Sequence, residues 1–136
     1  MFMDSIQPRK QRKYRYNAPL HHRKKMVSVH LSKELRAKLS TKKRNAPVHR
    51  GDKVKLMRGE KRGHTGKVIE VDLADLKVYV EGVSQRTAKG VEKLVPIDPS
   101  NLMIVEGEFA ADRLAMVQRS GKAAQAKATA AKKQSG

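Results

Sequence analysis

Cysteine and tryptophan are absent from the 136 residues, and aromatic side chains are few, with two Phe and three Tyr. Without cysteine there is no disulfide scaffold, no thiolate zinc site and no Cys nucleophile, a pattern that suits an intracellular protein. No apolar run approaches the roughly 20 residues that span a bilayer. The opening MFMDSIQPRK lacks the apolar stretch of a secretory signal. A cytoplasmic protein without membrane insertion is the expectation. Acidic residues are also scarce: 13 Asp and Glu stand against 31 Lys and Arg, a formal charge of +18. A body so charged repels itself, and its natural partner is a dense polyanion, nucleic acid first and an acidic membrane surface second. No strongly amphipathic basic helix supports the membrane alternative.

The charge is unevenly placed. Residues 1–50 hold 15 cations and 2 anions, residues 51–105 hold 10 and 8, and residues 106–136 hold 6 and 3. Three segments follow: a basic, partly helical extension over 1–47, a folded body over 48–105, and a C-terminal helix and Ala/Lys-rich tail over 106–136. Residues 1–17 have almost nothing to bury and are expected to be extended or disordered in isolation. Arg9, Lys10, Arg12, Lys13 and Arg15 make them either an arm that folds onto RNA, with Tyr14 and Tyr16 to stack on bases, or a solvated tail. A short helix over 18–26, with Asn17 as N-cap and Pro19 in its first turn, carries His21, Arg23, Lys24 and Lys25. Residues 27–30 read as extended. Ser32 is the expected N-cap of a helix over 33–39, in which Glu34 pairs with Lys38 and Arg36 joins the basic surface. Lys42, Lys43 and Arg44 fill a basic linker that ends near Pro47.

Residues 51–104 read as five short strands: Lys53–Met57, with Val54 and Leu56 on one face; Lys67–Leu73, with Ile69, Val71 and Leu73 alternating; the KVYV run; a strand near 92–96; and Leu102–Val105. The stretch from Ser84 to Gly90 reads as a polar loop. Short strands without intervening helices predict a mainly β fold, a small antiparallel barrel. A last short helix is expected over 108–119, with Leu114 and Val117 on one side, before a frayed tail from Ser120.

Between the first two strands lies a glycine-bearing cationic loop. Its glycines permit positive φ and close approach of backbone N–H groups to phosphate oxygens. Arg58, Lys61, Arg62, His64 and Lys67 surround that backbone, ready for charge-assisted bonds to the same phosphates, and Arg50, Lys53 and Lys55 before it join the expected RNA-binding set. The plainer reading is that the glycines serve the turn and the cations face water. Gly63-His64-Thr65-Gly66 matches the GXXG of a KH domain, but that loop joins two helices and this one joins two strands. The run from Gly59 to His64 is no P-loop either, since the Lys-Ser/Thr ending is missing. Adjacent His21 and His22 suit one metal poorly and have no acidic neighbours, so no metal or other cofactor is expected. No nucleophile, base and carboxylate stand in a recognisable arrangement, so neither an enzyme nor a small-molecule substrate is expected.

The stretch GDKVKLMRGEKRGHTGKVIEVD resembles a KOW motif, with Gly51, Asp52, Val54, Gly59, Gly63, Gly66, Lys67 and Val68 in matching places. The flanking blocks QPRKQRK, NAPLHHRKK, LSKELR, VYVEGV and PIDPSNLMI, in order over residues 7–104, are similar to the archaeal and eukaryotic form of the universal large-subunit ribosomal protein family numbered twenty-four, or twenty-six in eukaryotic naming. The resemblance implies an SH3-like barrel that binds 23S-type ribosomal RNA. It further implies early entry into large-subunit assembly, neighbouring ribosomal proteins as partners, and a place near the polypeptide exit tunnel. The chain departs from the family pattern at Lys61, where an aromatic residue is common, which makes this loop more cationic and less suited to stacking. The alternative is the KOW module of a transcription elongation or chromatin factor, although such factors carry an α/β domain that this basic N-terminus is too poor in apolar residues to supply.

Overall fold

The computed structural model describes residues 5–118. Two helices come first, α1 (Pro8–Asn17) and α2 (Leu20–Met26), followed by strand β1 (Ser28–Leu31), helix α3 (Lys33–Lys38) and strand β2 (Asn45–Pro47). Strands β3 (Lys53–Leu56), β4 (Thr65–Asp72), β5 (Lys77–Val80), β6 (Ser84–Arg86), β7 (Glu92–Leu94) and β8 (Leu102–Glu106) follow, with a helix α4 over residues 111–118. The fold is mainly β with a few helices.

Six strands form one sheet in the order β2-β1-β8-β3-β4-β5, and β6 and β7 make a separate hairpin. The sheet is mixed because a strand from the segment read as an extension joins it: β1 runs parallel to β8, with His30 opposite Met103 and Leu31 opposite Ile104. The remaining pairs are antiparallel. A parallel pair needs a crossover connection, and here everything from α3 to β7 lies between the two strands. Strands β1 and β2 thus belong to the same sheet as β3 to β5. Their residues Val29, Leu31 and Ala46 share one apolar cluster with Val54, Leu56, Val68, Val78, Val80, Leu102 and Ile104.

Period-two patterning accounts for the clearest strands. In β3 Val54 and Leu56 point into the core while Lys53 and Lys55 face out, and in β5 Val78 and Val80 are fully buried. Strand β4 behaves differently. Val68 is its buried residue, and a register shift against β5 between Val68 and Glu70 leaves Ile69, Val71 and Leu73 only half-buried. Such a bulge inserts a residue and breaks the simple alternation. Ser84–Arg86 is strand β6 rather than loop, paired with β7 through Ser84 opposite Leu94.

The helices follow local chemistry with three corrections. Residues 8–17 are helical, not extended, because straight-chain Lys, Arg and Gln favour helix and Pro8 presets the first turn. Asn17 closes α1 instead of capping α2, whose N-cap position is Pro19. Ser32 does cap α3, its Oγ accepting from the Leu35 amide at 3.1 Å, but no Glu34–Lys38 ion pair is present among the described residues. An exposed pair at this spacing is worth only about 0.3–0.5 kcal/mol, against the entropy of two long side chains. Helix α4 buries Val117, while Leu114 is half-buried. The tail from Ser120 lies outside the described residues.

Gly66 shows why glycine is required where β4 meets β5. A Cβ there would stand 2.5 Å from the Glu81 carbonyl oxygen and 2.9 Å from Val80 Cγ1. Backbone cannot yield as a side-chain tip does, so Gly66→Ala is expected to cost about 1–3 kcal/mol of stability in chemical denaturation.

Candidate nucleic-acid interface

Helix α1 buries no residue and turns Arg9, Lys10, Arg12, Lys13 and Arg15 to solvent, with Tyr16 81% exposed. Like charges three and four residues apart repel along such a helix, so it is arranged to gain from a polyanion. Its attachment to the body is polar. Tyr14 Oη lies 2.9 Å from His22 Nδ1, and the His22 ring meets His21 edge-on with centroids 4.4 Å apart. Partial desolvation and nearby positive charge, including His21 and Lys25, hold His22 below the ordinary imidazole value. Arg23 works as a clamp: its Nε donates to the Ala18 carbonyl at 2.9 Å, one Nη to the Tyr16 carbonyl, and the other to the Ala74 carbonyl at 3.2 Å. Arg23 therefore fastens α1 and α2 to the turn after β4. His21, Lys24 and Lys25 remain exposed.

The glycine loop between β3 and β4 is closed on itself. The Leu56 amide donates to the His64 carbonyl at 2.9 Å, the Gly63 amide to the Leu56 carbonyl at 2.8 Å, the Arg62 amide to the Gly59 carbonyl and the His64 amide to the Lys61 carbonyl. Gly59 and Gly63 supply the positive φ, +93° and +90°, that this closure needs. The amides of Arg62, Gly63 and His64 are thus spent within the loop, and side chains, not these N–H groups, are left to meet phosphate. The Arg58 and Arg62 side chains are exposed and unpaired among the described residues. Lys61 Nζ donates to the Ser84 carbonyl at 2.9 Å, and His64 Nε2 lies 2.9 Å from the Glu81 carbonyl. Lys61 and His64 thereby brace the loop against the chain that follows β5.

On the neighbouring sheet surface Lys53 stands directly opposite Lys67, with Lys55 one pleat further along, all exposed. Like charges directly across a ladder are destabilising. Lys53 gains a partner in Glu106 at 3.4 Å, but both side chains are about half exposed or more, and such pairs contribute about 0–1 kcal/mol. Lys42 and Arg44 are exposed in the segment before β2, and Arg50 in the turn between β2 and β3. Lys43 is half-buried, its Nζ donating to the Met116 carbonyl, which ties the segment before β2 to α4. Arg36 is also half-buried. The expected cations accordingly divide into an exposed majority and an inward group of Arg23, Arg36 and Lys43.

Sequence reasoning passed over Arg113. Both Arg113 and Asp52 are only 2% exposed, and they form a bidentate ion pair, one Nη donating to Oδ1 at 2.8 Å and the other to Oδ2. The same guanidinium donates to the Glu108 and Pro47 carbonyls at 2.8 and 2.9 Å and lies 4.2 Å from the Phe109 ring centroid. Asp52 also accepts from the His49 amide at 2.8 Å. Desolvation, helped by the Arg113 charge and opposed by Asp52, holds the His49 imidazole below its usual value. The pair ties α4 to the turn that opens the glycine-rich stretch. The one sequence signal was an acid, Asp52, between Gly51 and an alternating strand.

A family model for ribosomal proteins, L26 in the eukaryotic naming and L24 in the archaeal, matches residues 5–120. The large ribosomal subunit protein uL24 of Pyrobaculum islandicum is 48% identical over 105 residues, which cover 77% of this chain and 84% of that relative. Matched from residue 5 to residue 120, the chain belongs to this archaeal and eukaryotic family of ribosomal proteins.

Proposed function

We propose that this protein is a structural constituent of the large ribosomal subunit in the cytoplasm, binding 23S-type ribosomal RNA through its N-terminal helices and the cationic face beside the glycine loop. The observation that carries the reading is charge the fold does not use. Arg9, Lys10, Arg12, Lys13, Arg15, Lys24, Lys25, Lys42, Arg44, Arg50, Lys55, Arg58, Arg62 and Lys67 are exposed and make no ion pair or side-chain hydrogen bond among the described residues. The opposition of Lys53 and Lys67 is a local cost to the sheet that phosphate between them offsets. Tyr16, exposed at the end of α1, is placed to stack on a base or ribose.

In this reading β3 to β8 form an SH3-like KOW barrel whose glycines shape one RNA-facing loop, and the basic segment 1–47 reaches over the RNA with α1 and α2 while its strands β1 and β2 join the sheet. Family membership favours the ribosome over a transcription or chromatin factor, and also supports neighbouring ribosomal proteins as partners and a place near the exit tunnel. In low-salt lysate the protein is expected to sediment with large subunits. Sedimentation free of them, or co-purification with RNA polymerase, overturns the proposal.

A further inference from the structure

We infer that α3 and the turn that follows it form a dedicated site for one backbone phosphate of the bound RNA, held by Arg36, Lys33 and Lys42 with the hydroxyl of Ser40. The inference rests on the RNA-binding reading above and adds to it a built site, including Lys33 and Ser40, which composition alone does not single out.

The first observation is an orphan. Arg36 Nε is buried without any acceptor, and no other group of the Arg36 side chain makes a hydrogen bond or ion pair among the described residues. A guanidinium is always charged and brings five donors in a rigid fork. Leaving it partly desolvated and unmet costs the full desolvation penalty of the groups involved. The other buried orphan nitrogen, Nε of Arg113, belongs to a guanidinium already neutralised by Asp52. Among the described residues Arg36 has no such carboxylate.

The second observation is the company it keeps. A shallow depression of about 370 Å³ is lined by Lys33, Arg36, Ala37, Ser40, Thr41 and Lys42. Among the described residues three cations and two hydroxyls line it, with no acid and no large apolar side chain. This chemistry suits a phosphate, which accepts charge-assisted bonds from both fork and point-charge donors.

The third observation removes the obvious objection, that the C-terminal end of a helix repels anions. The Ser40 amide donates to the Ala37 carbonyl at 3.1 Å and the Thr41 amide to the Arg36 carbonyl at 3.2 Å. These are the two bonds of a Schellman closure, so the carbonyls concerned are already satisfied. The residue at the left-handed position of that closure is usually glycine; here it is Ser40, at φ +48°. Its hydroxyl is exposed at the rim without a partner among the described residues, whereas Thr41 Oγ1 donates to the Val117 carbonyl at 3.0 Å and accepts from the Lys43 amide. Thr41 thus fixes the turn against α4, and Ser40 faces the ligand.

The test uses the full chain, labelled with nitrogen-15 and titrated with a transcript of large-subunit ribosomal RNA. Binding is expected to shift the Arg36 Nε–H resonance. Because substitution of half-buried Arg36 can perturb folding, the affinity arm uses exposed lysines. The pair Lys33→Gln and Lys42→Gln is expected to reduce the slope of log affinity against log salt by about 0.7–0.9, the value for one phosphate contact. The pair Lys89→Gln and Lys93→Gln, also exposed and in the β6–β7 hairpin, removes the same charge away from the depression and is expected to change the slope by less than half as much. RNA binding with the Arg36 Nε–H resonance unmoved, or equal slope changes from the two pairs, overturns the site while leaving the RNA-binding reading intact. Failure of the wild-type chain to bind the transcript overturns both.

Discussion

Arg113→Ala is expected to lower the unfolding free energy by about 3–5 kcal/mol, the range for breaking a buried ion pair from one side. The loss comes less from the missing attraction than from what remains, a buried Asp52 carboxylate with its two best donors gone. Detachment of α4 adds to it, since Val117 packs in the core from the same helix. Lys53→Ala removes the exposed pair with Glu106 and is expected to change stability by no more than about 1 kcal/mol. Urea denaturation of the two variants side by side separates the cases. A small and equal effect from both would mean that the Asp52–Arg113 pair does not hold α4 to the sheet. Replacing both partners, with Arg113→Met and Asp52→Leu, is expected to recover part of the loss, because no buried charge is left unpaired while the His49 amide and the Glu108 and Pro47 carbonyls lose their partners.

Removal of residues 1–25 is expected to reduce RNA affinity and its salt dependence far more than the double substitution Arg58→Ala and Arg62→Ala. The truncation deletes Arg9, Lys10, Arg12, Lys13, Arg15, Arg23, Lys24 and Lys25. Each phosphate that is no longer neutralised lowers the salt slope by about 0.9 on a B-form duplex and about 0.7 on a single strand. The two loop arginines account for at most about two such phosphates on that scale. The body is expected to survive the cut, because its apolar cluster begins at Val27 and α1 and α2 are fastened mainly by polar contacts, chiefly those of Arg23, with Ala18 the buried apolar residue lost. Affinity measured from low to moderate salt gives both numbers. Equal slopes for the two variants would assign the binding energy to the glycine loop instead.

Much of the body was legible because its information is local. Val54, Leu56, Val78 and Val80 alternate with polar residues, and two of the positive-φ glycines bracket a loop whose closure demands them. What escaped was non-local. Parallel pairing of β1 with β8 joins distant parts of the chain, His30 with Met103, and nothing in VSVHL distinguishes an extended linker from a central strand. The bulge after Val68 shifted the buried face of β4, a change that composition does not register. The site shows the same division. That Arg and Lys crowd the first third of the chain is plain from the sequence, but a cation looks the same whether it meets phosphate or caps a carbonyl. Arg23, Lys43 and Lys61 each donate to backbone oxygens supplied by distant segments, those of Ala74, Met116 and Ser84. Arg113 was invisible for the same reason, since its partner lies 61 residues upstream.

Helices α1 and α2, with the cationic face beside the glycine loop as a second contact, are the surfaces proposed to lie on large-subunit ribosomal RNA. Crosslinking the protein in intact cells, followed by mapping of the crosslinked peptides and nucleotides, tests this most directly. The predicted result is crosslinks from residues 8–25 and from residues 53–67 to two separate places in large-subunit ribosomal RNA, with the N-terminal set the more abundant. Crosslinks confined to other RNAs, or to polymerase, would contradict it.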